Sequence, residues 1–225
     1  MTAATLAHRF RLLAAALLLA MLGACGALEK TRAAPPVFYA LDSSQPSPAP
    51  RLTPATTRPT LLISPPQAAA GFDSRHIIYL REAHRLEYFA HAEWADTPAR
   101  MIAPLLVGAL AATERFAAVV LTPGSATGDL RLEVGIVRLQ HEFAPSPSRV
   151  RLTLRAHLLD QKTRRVLAWR EFDESVAAPQ DTPYGGVIAA NAAVHKVLGQ
   201  LAAFAAAAAA GWSGPDAAGT GGRAD

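Results

Sequence analysis

The sequence predicts an α/β fold of the α+β kind: a single domain with a mixed, partly antiparallel sheet and two main helices packed on it. Three observations carry that prediction. Two runs, Leu130 to Ile136 and Val150 to Leu158, alternate apolar and polar residues at period two, as strands buried on one face do. Two stretches open on Thr97-Pro98 and Thr182-Pro183 and continue with apolar residues three and four apart, as amphipathic helices do. Nine of the 17 prolines fall between Pro35 and Pro66, ahead of a body of ordinary mixed composition, so a tether precedes the fold. With 51% hydrophobic residues, 225 residues suffice for one core and exclude a disordered chain.

The N-terminus carries His8, Arg9 and Arg11, then an uncharged run from Leu12 to Ala24, then Cys25. A basic region, a short apolar core and a small-residue exit are the parts of a secretory signal. Thirteen helical residues span about 20 Å, short of the ~30 Å hydrocarbon core, so the segment reads as a removed signal over 1–24 and not as a permanent span. Leu22-Gly23-Ala24-Cys25 resembles a bacterial lipobox, whose cysteine is diacylated before cleavage, and Cys25 is the sole cysteine of the chain. It is the candidate lipid-attachment residue. Several acyl chains, at about 0.8 kcal/mol per buried CH₂, hold a protein on a bilayer. Gly26, where Asp would mark retention, resembles the Gram-negative signal for sorting to the outer membrane. Removing Arg9 and Arg11 leaves 20 Lys and Arg against 18 Asp and Glu, a charge of +2 in place of +4. That balance excludes a dedicated nucleic-acid binder.

Residues 25–59 form an acylated, Pro-rich tether in this reading, extended and solvated at roughly 3.1 Å per residue. One island interrupts it: Val37 to Leu41 is apolar and aromatic enough for a short strand docked on the body. The main domain spans 60–210. Thr60 to Ser64, closed by Pro65-Pro66, is its first strand. Ile77 to Leu80 and Leu86 to Ala90 follow, joined by a hairpin turn over Arg81 to Arg85. At period two Leu86, Tyr88, Ala90, Ala92 and Trp94 share one face. The helix opened by Thr97-Pro98 buries Ile102, Leu105, Leu106, Ala109, Leu110 and Thr113; Pro104 predicts a kink or break in it, at a cost of ~3 kcal/mol. Ala117 to Leu121 is a strand. Leu130, Leu132, Val134 and Ile136 point inward from the next, with Asp129, Arg131 and Glu133 outward. After a loop at Ala144 to Ser148, Val150, Leu152, Leu154, Ala156 and Leu158 point inward, with Arg149, Arg151, Thr153, Arg155 and His157 outward. Asp160 to Arg164 turns into a strand over Arg165 to Val176. The last helix buries Val187, Ala190, Asn191, Val194, Leu198, Leu201 and Ala205, with Gly185 and Gly186 weakening its first turn. From Gly211 to the end, Gly, Ser, Pro and Asp predict a disordered tail.

Chemistry is sparse. There is no phosphate-cradling glycine loop ending in Lys-Ser or Lys-Thr, so ATP hydrolysis is not expected of this chain. Gly124-Ser125-Ala126-Thr127-Gly128 has the outer glycines of a hydrolase elbow, but Ala126 stands where the nucleophile would be. His84 and His91 lack ligand spacing, and no metal or other cofactor is expected. The candidate partner contacts are Tyr88, Phe89, Trp94, Arg149, Arg151 and Arg155. Adjacent Tyr88 and Phe89 face opposite ways on a strand, so one is exposed. The arginine stripe is read first as a solvated face paired with Asp129, Glu133 or Glu171, each pair contributing ~0.2–1 kcal/mol.

Tyr39-Ala40-Leu41, Ile63-Ser64-Pro65-Pro66, and the run through Leu86, Tyr88, Phe89, Trp94 and Pro98 are similar to the ABC-type transport auxiliary lipoprotein family. Asp129-Leu130, Leu167 to Phe172 and Asn191-Ala192-Ala193 agree, so the resemblance runs over about residues 37–205. It implies a non-enzymatic lipoprotein on the periplasmic face of the outer membrane, working with an ABC permease and ATPase and an MCE-domain protein. Its role would be to help move lipids or hydrophobic compounds across the envelope. The family supplies no catalytic residues, and Cys25 alone transfers as a functional residue. Two other readings are a periplasmic lipid carrier with its own apolar cavity and a periplasmic hydrolase. An adaptor predicts a filled core and an exposed aromatic or oligomeric surface, with a homo-oligomer among its assemblies.

Overall fold

The computed structural model describes residues 35–42, 58–144 and 146–214. The signal segment, Cys25 and the proline-rich centre of the tether lie outside the described residues, as does the tail beyond Gly214. The fold is a single α+β domain with an open mixed sheet and two helices, as the sequence predicts.

The strands are β1 (Val37–Tyr39), β2 (Thr60–Ile63), β3 (Gln67–Ala68), β4 (His76–Leu80), β5 (Glu87–Trp94), β6 (Ala118–Leu121), β7 (Leu130–Glu142), β8 (Arg149–Asp160) and β9 (Val166–Ala177). The helices are α1 (Pro98–Ala111) and α2 (Pro183–Ala210). β7 organises the sheet. One of its edges pairs antiparallel with β8, which pairs antiparallel with β9. Its other edge receives β2, β3 and β4 in succession, all parallel. β6 lies parallel beside β2, β5 antiparallel beside β4, and β1 parallel beside β5. The apolar island in the tether is therefore an edge strand. β3 has no signal in the sequence, because two residues are too few to show a period.

Alternation along β7 and β8 supplies one wall of the core: Leu130, Leu132, Ile136, Leu152, Leu154 and Leu158 are all but fully buried. A register shift between Ile136 and Arg138 then carries the inward set to Leu139 and His141. A bulge of this kind re-aims every later side chain, and the period-two pattern cannot announce it. Thr153, expected outward, is buried because its hydroxyl donates to Asp173 Oδ1 at 2.6 Å across the strand pair.

Ile102, Leu106 and Leu110 of α1 are buried in the same core, as the spacing predicts. The break expected at Pro104 does not occur; the helix runs through it. Pro104 lies on the exposed side of the helix, as does Arg100, whose carbonyl loses its intrahelical partner. In α2, Val187, Ala190, Val194, Leu198, Leu201 and Ala205 are buried. By length and composition α2 would cross a membrane, but its apolar side is packed on the sheet, with Phe172 of β9 edge-on to Phe204 at 5.8 Å. The two glycines of its first turn are required by close approach. A Cβ at Gly186 would sit 2.5 Å from His141 Nδ1, and one at Gly185 would meet the Gln180 carbonyl. Thr182 caps the turn by accepting the Gly185 N–H at 3.1 Å. Asn191 is half-buried: its amide donates to the Ala40 carbonyl at 3.2 Å, and its oxygen accepts the Asp42 N–H at 2.9 Å. It ties the segment after β1 to the last helix.

Candidate docking surface

Both helices lie on one face of the sheet, and the other face carries the polar members of each alternating strand. Its shape at the β1 end is set by an irregularity in β5. His76 pairs with Glu93, whereas Ile78 pairs with Tyr88, so five steps along β5 match two along β4. Paired residues share a face, and the extra residues reverse the parity of β5 between its two halves. Tyr88 therefore stands on the side opposite Trp94. The expectation that Leu86, Tyr88, Ala90, Ala92 and Trp94 share one face is overturned: Ala92 and Trp94 are buried, while Leu86 and Tyr88 are 47% and 58% exposed. Trp94, at 3% exposure, is a core residue and is unavailable for partner contact.

Of the adjacent pair Tyr88 and Phe89, Phe89 takes the inward place. It packs against Tyr79 at 4.5 Å and Phe143 at 6.4 Å, half-buried. Tyr88 stacks on His76 at 4.3 Å, and Phe38 of β1 lies beside Glu93 in the ladder with the Arg75 guanidinium 4.9 Å above its ring. Phe38, Glu93, His76 and Tyr88 thus form a row across β1, β5 and β4. Phe38 and Val37 were not singled out as contacts; their exposure follows from β1 being the sheet edge.

At the other end, Arg155 and Glu171 sit opposite each other on β8 and β9 and pair at 2.8 Å. Arg151 grips Asp173 through both carboxylate oxygens at 3.0 and 2.6 Å. This pairing, led by the Arg151 hydrogen bonds, brings the Asp173 pKa down to about 2. Asp173 was not among the expected partners; Asp129 instead accepts the Thr60 N–H at 2.8 Å. Arg149 is exposed and makes no ion pair among the described residues. Trp169, also missed, is the most exposed large apolar side chain among the described residues, lying 6.4 Å from His157 on this face. Its i, i+2 neighbours Leu167 and Glu171 gave no hint, since β9 is buried chiefly at Phe172.

One partly buried polar cluster has the residue types of a hydrolase site. His141 Nε2 lies 2.8 Å from Ser148 Oγ, and Asp181 accepts the Ser148 N–H at 3.1 Å. The order is wrong for nucleophile activation. The acid meets the serine and not the histidine, and His141 Nδ1 is buried without a partner beneath Gly186. Ser148 is 1% exposed, out of reach of a substrate carbonyl. Burial pushes the His141 pKa below its ordinary 6.5, against a smaller opposing pull from Asp181. Asp181 is lowered by hydrogen bonds from Ser148. The best-formed pocket among the described residues lies here, lined by Ile77, Trp94, Leu139, His141, Val150 and Gly186, with about 10 Å³ of room. That is about one water. No group of three metal-ligating side chains comes together among the described residues.

The fold resembles two solved structures. A protein from Xanthomonas campestris is 24% identical, with a TM-score of 0.65 over 76% of this chain and 96% of its own. An uncharacterized protein is 13% identical, with a TM-score of 0.59 over 76% of this chain and 98% of its own. No curated protein matches the sequence. The profile of the ABC-type transport auxiliary lipoprotein component matches residues 39–202, which takes in every element from the end of β1 to the middle of α2. The chain, with its edge strand stapled to the last helix and its uncovered sheet face, belongs to the ABC-type transport auxiliary lipoprotein family.

Proposed function

We propose that this protein is a non-enzymatic docking component of an ABC transport system that moves lipids or other hydrophobic compounds across the envelope. In this reading residues 1–24 are a removed signal, and acylated Cys25 holds the domain through a tether ending near residue 59. Gly26 directs the anchor to the periplasmic face of the outer membrane. The partners are an MCE-domain protein and the permease–ATPase complex at the inner membrane, where ATP is available.

The observation that carries the reading is a filled core beneath an uncovered sheet face. A carrier needs a cavity of several hundred Å³ for one lipid; the pocket beside His141 holds about one water. A hydrolase needs an accessible nucleophile, and Ser148 is buried. The exposed arginines and aromatics at the two ends of the outer face are what remains for contact. Tethering strengthens weak contacts by raising the local concentration of the domain.

The test is Cys25→Ser in the native host. The wild-type chain should fractionate with the outer membrane, carry acyl mass on Cys25, and co-purify with an MCE-domain protein. The variant should keep its thermal midpoint and fall at least tenfold in the membrane fraction. Recovery of the variant in the membrane pellet with undiminished acyl label would defeat the anchor.

A further inference from the structure

We propose that the β1 edge of the sheet is a lipid-docking surface, with Val37 on one side of the edge strand and Phe38 on the other, beside Leu86 and Tyr88, seated in the interfacial zone of the bilayer that holds the anchor. The proposal rests on the reading of Cys25 as the acylated residue.

The surface has the composition of an interfacial contact. Val37 and Phe38 are each 53% exposed on the edge strand, and Leu86 and Tyr88, at the start of the neighbouring β5 segment, are exposed as well. Three apolar side chains are joined by a tyrosine, whose ring suits the apolar layer while its hydroxyl stays hydrated. A row across three adjacent strands links Phe38 to Tyr88, with Phe38 beside Glu93, Glu93 beside His76, and His76 stacked on Tyr88, while Val37 pairs with Ala92 and occupies the other side of the edge strand. Arg75 is held over Phe38 because its Nε donates to the Trp94 carbonyl at 3.1 Å, so a cation stands ready for phosphate above an apolar ring.

The covalent chain chooses lipid over other occupants. Cys25 precedes Val37 by twelve residues, which fully extended span about 40 Å. A domain of this size is itself about 40 Å across. The β1 edge therefore cannot leave the bilayer by more than one domain diameter, and its exposed aromatics meet headgroups at high effective concentration. The other exposed aromatic edge, at Trp169 on β9, lies five strand spacings away, roughly 24 Å. Charge around the patch is mixed, with Arg75, Arg81 and Arg85 set against Asp73, Glu82, Glu87 and Glu93. Arg85 is moreover paired with Glu87 at 3.0 Å. Seating thus depends on apolar insertion and not on anionic lipid.

The experiment uses the acylated full chain in phosphatidylcholine vesicles containing a spin-labelled phosphatidylcholine quencher. Acylation consumes the Cys25 sulfur, so Val37→Cys introduces a single thiol for an environment-sensitive fluorophore; Leu167→Cys on β9 is the reference. The Val37 label should be blue-shifted and quenched at least threefold more than the Leu167 label. Replacing a third of the lipid with phosphatidylglycerol should leave that ratio unchanged. Adding Phe38→Ser and Tyr88→Ser, both at exposed positions, should return the Val37 label to the Leu167 level without moving the thermal midpoint. Equal quenching at the two sites would overturn the proposal. So would a blue shift without lipid quenching that grows with the protein-to-lipid ratio, which would assign the surface to a second copy of the chain. Acyl mass and vesicle flotation separate the two readings. A floating, acylated chain with its Val37 label in water defeats the docking alone, whereas a chain without acyl mass that fails to float defeats the anchor and the docking with it.

Discussion

Trp94 and Tyr88 sit six residues apart on β5, and their surroundings assign them opposite roles. Trp94 is enclosed with Ile77, Leu139 and Val150, so Trp94→Ala removes a fully buried ring and should cost about 3–5 kcal/mol, read as a lower denaturation midpoint. A variant that kept its midpoint and lost partner binding would return Trp94 to an interface. His141 carries a pH dependence of known sign. Its folded pKa is depressed, so the native state prefers the neutral ring. The contribution is complete above pH 6.5 and is lost as pH falls below it, because the unfolded chain takes the proton first. Urea midpoints should drop between pH 7.5 and pH 5, and His141→Gln should flatten that slope. An unchanged slope would mean that the ring reaches solvent.

The elements show where local rules yield to packing. Gly185 and Gly186 weaken α2 by intrinsic propensity, yet they let its first turn descend onto His141 and Gln180, an approach that no Cβ would permit. Pro104 is tolerated because it costs one hydrogen bond on the exposed side of a helix whose buried side is held by Ile102, Leu106 and Leu110. β1 is three residues long and pairs with one neighbour, so Asn191 decides much of its persistence. Asn191→Ala should speed amide exchange at Asp42 about tenfold, equivalent to ~1.4 kcal/mol, while amides in β7 and β8 keep their protection. Uniform acceleration would show that β1 and the core open together.

At the scale of the molecule, the long antiparallel meander of β7, β8 and β9 forms one side of the sheet, and three short parallel strands share the remaining edge of β7. The helices pack on one side, and the best-formed pocket among the described residues, beside His141, has room for about one water. Protein released from membranes under native conditions should therefore carry no stoichiometric lipid by mass spectrometry, apart from the anchor itself. One retained lipid per chain would restore the carrier. The outer face has ion pairs toward β9 and aromatics toward β1. Surface pairs of this kind contribute at most about 1 kcal/mol, so their main effect is to fix the arginine and carboxylate positions on this face. The Arg151–Asp173 contribution is present above pH 3.8 and fades as pH falls toward 2.

Period-two alternation in Leu130 to Ile136 and Val150 to Leu158, three- and four-residue spacing after the two Thr-Pro caps, and the family resemblance were all present in the sequence. They were legible because each depends on near neighbours along the chain: which residues face inward within one strand or one helix is a local matter. The arrangement of β2, β3 and β4 along one edge of β7, the parity reversal in β5 that turns Tyr88 outward and Phe89 inward, and the burial of His141 with Ser148 beside Asp181 were decided only by the tertiary structure. Bulges and cross-strand registers are set by contacts between residues far apart in sequence, and such contacts leave no period to read.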